Sequence, residues 1–325
     1  MFHPPAAARD ADLPTARAAG YNLPLLPDPT FKFETEGNEM RISVPVIFLL
    51  FAAANAALAT AQTLKNSAAK NAPARDVVST RELERINWME FKEAVPSKVQ
   101  TVLLPTGTLE PHGVINNGAD ITAPVAMARA IAPRVNAMIA PVLPYGITGS
   151  LSDYPGAFQI TESAYRPFVK QIMEGLAKNG FKNIVVLNGH GGPQTAVLNS
   201  VAAEVSAERH VRTLVINWWS FASDVTKEVF GEDGGHAGWN ETAYVQAADP
   251  SLVHADKYKD DLATPSPAAG TWSASPFPSS IILYQPGQGY PKFDQKKADE
   301  YFRKVNDKVA GLINDVVRKW DMAGL

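Results

Sequence analysis

Four short apolar runs, at residues 99–104, 137–143, 184–187 and 211–217, constrain this chain more than any other feature of it. Each is rich in Val, Ile or Leu and too short for a buried helix, so each reads as a strand covered on both faces. Three of them stop abruptly. Pro105 and Gly107 end the first, Pro144-Tyr-Gly ends the second, and the third leads into Asn188-Gly-His-Gly-Gly. The stretches between them have helical spacing. A short helix starts around 86–91, and residues 124–135 carry apolar side chains at that spacing with Pro124 near the first turn. Residues 163–179 place Phe168, Ile172 and Leu176 on one face and Lys170, Glu174 and Lys178 on another, with Gly180 as a closing cap. Further helices are expected at 194–209, at 242–248 and at 295–320, the last with Val305, Val309, Leu312 and Val316. Strand and helix alternate, which predicts an α/β fold: a mainly parallel sheet with helices on both faces, forming a single domain over 62–325.

Composition bears on function. The 325 residues are 46% hydrophobic, enough for a large core, and a net charge of −3 without a Lys/Arg run offers no nucleic-acid surface. Cysteine is absent. That excludes disulfides and thiolate metal sites, and leaves His and carboxylates to hold any metal. Residues 1–39 are rich in Ala and Pro without periodicity and read as disordered, or as an extension foreign to the natural product. Then come Met40, Arg41, an almost wholly apolar run at 44–58, and Ala59-Thr60-Ala61 before Gln62. Residues 40–61 thus have the layout of a secretory signal peptide. The apolar run is shorter than the ~20 residues a membrane span needs; an uncleaved anchor and a buried helix are the alternatives. The expected mature protein is periplasmic or secreted, without stable membrane insertion. Residues 62–80 read as a polar lead-in, and 260–292, rich in Pro, Ser and Gly, as a long loop.

The chemistry sits in three clusters. After the first strand, Glu110, His112 and Asp120 fall within eleven residues on a Gly/Asn-rich stretch. Carboxylate, imidazole, carboxylate is a donor set that zinc, manganese or iron accepts. A solvated loop with a surface His is the plain alternative. After the third strand, His190 stands among glycines that let backbone approach a ligand; the Lys of a P-loop and the G-x-G-x-x-G spacing are both missing. The third cluster is Gly235-His-Ala-Gly-Trp-Asn-Glu-Thr, where Glu241 could equally serve as a helix cap. Of six histidines, the three at 112, 190 and 236 lie in glycine-flanked loops with Glu or Asp, whereas His210 and His254 read as structural or solvated.

In this order the three motifs resemble the creatininase (creatinine amidohydrolase) family, from about residue 86 to the C-terminus. The resemblance implies two divalent metals, zinc foremost with manganese or iron as alternatives, bridged by a carboxylate and a water. Asp120 matches the bridging ligand, Glu110 and His190 match ligands of one ion, and His112 matches a ligand of the other. Where creatininases place a Glu two residues after the second-motif His, this chain has Gly192, so Glu241 is the expected remaining ligand. His236 matches the proton-shuttling His, and Asp120 and His236 are the expected catalytic pair. Trp219 matches an aromatic that covers substrate; Tyr154, Gly191 and Gly192 are further candidate substrate contacts. The implied activity is hydrolysis of a C–N amide bond, cyclic or linear, in a small molecule or short peptide, by a homo-oligomer that is hexameric by analogy. Several departures argue against creatinine as substrate. The first loop has Val114-Ile-Asn where the family has a second His, Gly235 replaces a Glu, and a second stacking Trp has no match between Phe230 and Gly235. A non-catalytic ligand-binding protein on the same fold and a deformylase- or peptidase-type relative are the alternatives.

Overall fold

The computed structural model describes residues 78–259, 263–265, 271–274, 282–284 and 292–325. The extension, the signal peptide, most of the polar lead-in and most of the 260–292 loop lie outside the described residues. Among the described residues no helix is long and apolar enough to cross a membrane.

Four strands, β1 (Thr101–Thr106), β2 (Ala137–Ile139), β3 (Asn183–Asn188) and β4 (Arg212–Asn217), form one sheet in the order β2-β1-β3-β4. All three pairings are parallel, with Thr106, Asn188 and Asn217 side by side at the carboxyl edge. The second predicted strand is shorter than its apolar run: after Ile139 only a bridge from Thr106 to Leu143 continues the ladder. Successive strand side chains go to opposite faces. Leu103, Val185 and Leu187 enter one core, and Val102, Leu104, Ile184 and Val186 enter the other. The sheet is therefore covered twice, and each fully buried Leu or Ile contributes about 1.5–3 kcal/mol.

The first core is closed by α2 (Ala119–Ile131), α6 (Ser223–Phe230), α7 (Trp239–Ala248) and α8 (Gln295–Met322). The second is closed by α1 (Trp88–Ala94), α3 (Glu162–Lys178) and α4 (Gly192–Arg209). A four-residue helix, α5 (Trp218–Phe221), follows β4 directly, and two three-residue strands, β5 (Ala263–Pro265) and β6 (Ile282–Tyr284), pair in parallel. Asn87 caps α1 by accepting the Met89 and Glu90 N–H groups, and Gly180, at φ +99°, terminates α3 as expected.

Two helix readings change. The core face of α3 is Tyr165, Val169, Met173 and Leu176, while Phe168 is 53% exposed. More consequentially, α2 begins at Ala119 and not at 124, so Asp120 sits in a helical first turn instead of a loop. Pro124 is then internal, and it lacks the N–H that would bond the Asp120 carbonyl. Backbone packs against that carbonyl instead. A Cβ on Gly107 or Gly189 would lie 2.2 or 1.9 Å from the Asp120 oxygen, so only glycine admits the approach.

Candidate metal centre

The carboxyl edge of a parallel sheet gathers the loops that follow its strands. Here it gathers all three clusters. Glu110 and His112 come from the loop after β1, Asp120 from the first turn of α2, and His190 from the glycine turn between β3 and α4. His236 precedes α7, and Glu241 lies in its first turn.

Asp120 is the hub. Its Oδ1 lies 3.0 Å from His112 Nε2 and its Oδ2 lies 2.9 Å from His190 Nδ1. Glu110 Oε1 is 3.2 Å from His190 Nδ1 and 3.6 Å from His236 Nδ1, and Glu241 Oε2 is 3.7 Å from His112 Nε2. Among the described residues three groups have the spacing to hold an ion: Glu110–Asp120–His190, His112–Asp120–Glu241 and Glu110–His112–His236. The first two share Asp120.

Each histidine is held by a backbone carbonyl on its far side. His112 Nδ1 donates to the Glu110 carbonyl at 3.0 Å, His190 Nε2 to the Ile147 carbonyl at 3.0 Å, and His236 Nε2 to the Pro111 carbonyl at 2.6 Å. A carbonyl can only accept, so the other ring nitrogen of each is the one turned to the carboxylates. That is the arrangement of metal-binding histidines. Glu110 Oε2 is buried and makes no hydrogen bond. A carboxylate oxygen in that condition is costly unless a cation or proton satisfies it. The donor set and the orphaned oxygen together fit a divalent metal ion. Glu241 Oε2 also accepts the Ala237 N–H at 2.6 Å, so it bonds backbone just ahead of α7 while lying among the candidate donors.

The charges explain the protonation. Burial disfavours charge on His112, but the Asp120 carboxylate outweighs it and pushes the imidazole up to about 10. His190 rises to about 10 in the same way, burial being overcome by its bonds to Asp120 and Glu110. Asp120 is held well below the usual range by His112 and His190 despite burial, whereas burial raises Glu110. Burial also pushes Glu241 up to about 7. His236 goes the other way, down to about 3, because burial and the neighbouring His112 both oppose its charge. The two rings lie 4.4 Å apart.

These residues face a cavity of about 310 Å³. Gly191, Gly192 and Trp219 line it, as do Gly149 and Ser150. Tyr154 is not among the lining residues, and His112 is covered, at 1% exposure. His210, in a left-handed C-cap of α4, and His254 are exposed and belong to none of the three donor groups, although the His254 N–H donates to the Val114 carbonyl at 2.9 Å in the loop that carries His112. Sequence reasoning missed the support beneath. Asn188 Oδ1 accepts from Thr106 Oγ1 at 3.2 Å, Asn188 Nδ2 donates to Asn217 Oδ1 at 2.8 Å, and the buried amide thereby ties β1, β3 and β4 together. Its place at the end of an apolar run was the available signal.

Comparison with known proteins agrees with this geometry. The creatininase family model, described as creatinine amidohydrolase, matches residues 84–313. The chain is 26% identical over 193 residues to the creatinine amidohydrolase of Pseudomonas putida, covering 54% of this chain and 74% of that one. It is also 26% identical over 164 residues to a 3-dehydro-scyllo-inosose hydrolase of Thermotoga maritima, covering 47% of this chain and about half, 51%, of that one. Solved structures of a mutant creatininase in its zinc–zinc form and of a manganese creatininase superpose with TM-scores of 0.62 and 0.60. Their identities are 21% and 22%, and both cover 73% of this chain and 98% of theirs. Fold, motifs and family match converge: the chain belongs to the creatininase (creatinine amidohydrolase) family, and is a metal-dependent hydrolase of carbon–nitrogen bonds.

Proposed function

We propose that this protein is a dinuclear amidohydrolase in which Glu110, Asp120 and His190 hold one divalent ion and His112, Asp120 and Glu241 hold the other. One observation carries the reading: the two oxygens of Asp120 are directed separately, one to His112 and one to His190. A pair of zinc ions, or manganese or iron in their place, would supply Lewis acidity, polarising an amide carbonyl and acidifying a water. The chain's own residues do the rest. His236, pinned through Nε2 to Pro111, keeps Nδ1 toward the cavity and carries the proton there, taking it up and delivering it to the departing nitrogen. Trp219, Gly191 and Gly192 form the wall against which the substrate lies. That substrate is a small cyclic or linear amide, or a short peptide. Gly192 and Gly235, where creatininases carry carboxylates, support a substrate other than creatinine, as does a curated relative named for a different small molecule. We place the protein in the periplasm or outside the cell on the pattern at residues 40–61, and expect a homo-oligomer, hexameric by analogy with the family.

The test is elemental analysis of the purified protein with an amide hydrolysis screen. About two ions per chain are expected for the wild type. Asp120→Ala is expected to abolish both metal binding and hydrolysis; an Asp120→Ala variant that keeps either would overturn the assignment.

A further inference from the structure

Beneath His190 lies a closed ring of hydrogen bonds. The His190 N–H donates to Asn188 Oδ1 at 3.2 Å, and the same oxygen accepts from Gln194 Nε2 at 3.1 Å. Gln194 Oε1 accepts the Ile147 N–H at 3.1 Å, and the Ile147 carbonyl accepts His190 Nε2–H at 3.0 Å. The ring begins at the His190 backbone and ends on its imidazole.

Backbone groups fix every donor and acceptor in it. An N–H on Ile147 requires Oε1 on that side of Gln194, so Nε2 faces Asn188. Asn188 Nδ2 donates to the His190 carbonyl at 2.6 Å, so Oδ1 is the atom left for Gln194 and for the His190 N–H. An amide suits position 194 because one end must accept while the other donates. Gln194 is wholly buried, lies in the first turn of α4 and is absent from the cavity wall. Gly146 makes room for it: a Cβ there would lie 1.8 Å from Gln194 Oε1.

We propose that Gln194 is a positioning residue for the metal site, holding the Ile147 backbone through its N–H so that the carbonyl of the same residue turns His190 Nδ1 toward Asp120 and Glu110. The proposal rests on the metal reading given above. It adds that the Glu110–Asp120–His190 ion depends on Gln194, whereas the His112–Asp120–Glu241 ion does not.

The test compares wild type, Gln194→Met and Gln194→Glu. Metal-free protein is titrated with zinc against a chromogenic chelator, giving separate affinities for the first and second ion. Met keeps the volume and loses both bonds; Glu still accepts from Ile147 but sets oxygen against oxygen at Asn188. Both are expected to weaken one ion by about 10–100-fold, the range found when groups behind a ligating histidine are lost, and to leave the other unchanged. Gly146→Ala, whose methyl would crowd Oε1 and also come 2.8 Å from the Gly107 carbonyl oxygen, is expected to weaken the same ion, and weakening confined to that ion decides the matter if the Gln194 variants do not fold. Unchanged affinities would overturn the proposal. Equal weakening of both ions in step with a lowered Tm would also overturn it, since that is a purely structural role. A wild type that binds no zinc would overturn the metal reading, and the proposal with it.

Discussion

On the proposed reading His236 carries the proton and is not a ligand of either ion. Its Nε2 is spent on Pro111, and burial keeps the ring neutral near pH 7. His236→Gln is expected to lower kcat by roughly 10²–10⁴-fold while elemental analysis still finds the wild-type metal content. The histidines of the two shared groups behave oppositely. With folded values near 10, His112 and His190 carry protons at pH 7 in the metal-free protein. An ion needs a lone pair on the nitrogen each turns to Asp120, so binding displaces a proton from each. Affinity should therefore rise with pH from 7 to 10 and level off above it. Calorimetry at pH 7 in buffers of different ionisation enthalpy should show proton release; an enthalpy independent of buffer would contradict it.

At the scale of elements, the approach of two glycine turns to the Asp120 carbonyl predicts opposite outcomes for one substitution. Gly189→Ala puts a methyl 1.9 Å from backbone oxygen that cannot move without α2. It should cost at least ~1–3 kcal/mol in urea unfolding and displace Asp120 from the site. Gly311→Ala, in α8 with nothing within 4 Å, should stabilise by about 0.5–1 kcal/mol. This contrast also marks what the sequence made legible. The strands were, because apolar runs that stop at Pro or Gly have few other readings. So were His112, His190 and His236, because glycines flank them. The start of α2 was not. Asn116, Asn117 and Gly118 look like loop, and the helix opens on Gly118 without a side-chain cap, held by backbone bonds from Ile121 and Thr122. The core face of α3 was misplaced because Phe168 and Ile172 are as apolar as Val169 and Met173, and only packing chooses between the rows. The Gln194 ring was invisible, since its partner Ile147 belongs to another loop.

The whole molecule separates stability from chemistry. Both cores lie along the strands, while every proposed ligand sits at one edge, so the fold can persist without ions. Ions that bind only the native state add to it by mass action, by about 4 kcal/mol at a free concentration a thousand times Kd. A strong chelator should accordingly lower Tm and leave a cooperative transition; loss of all cooperative unfolding would show that the ions build the fold. The parallel sheet has a consequence for the order of assembly. No hairpin joins its strands: Thr101 meets Asn183 only after the chain has left for β2 and returned, and Asn183 meets Arg212 only after α4. Such distant pairings close slowly. Residues from Glu110 to Glu241 converge only when that closure is complete, so a nascent chain has no centre to load until it has emerged past Glu241.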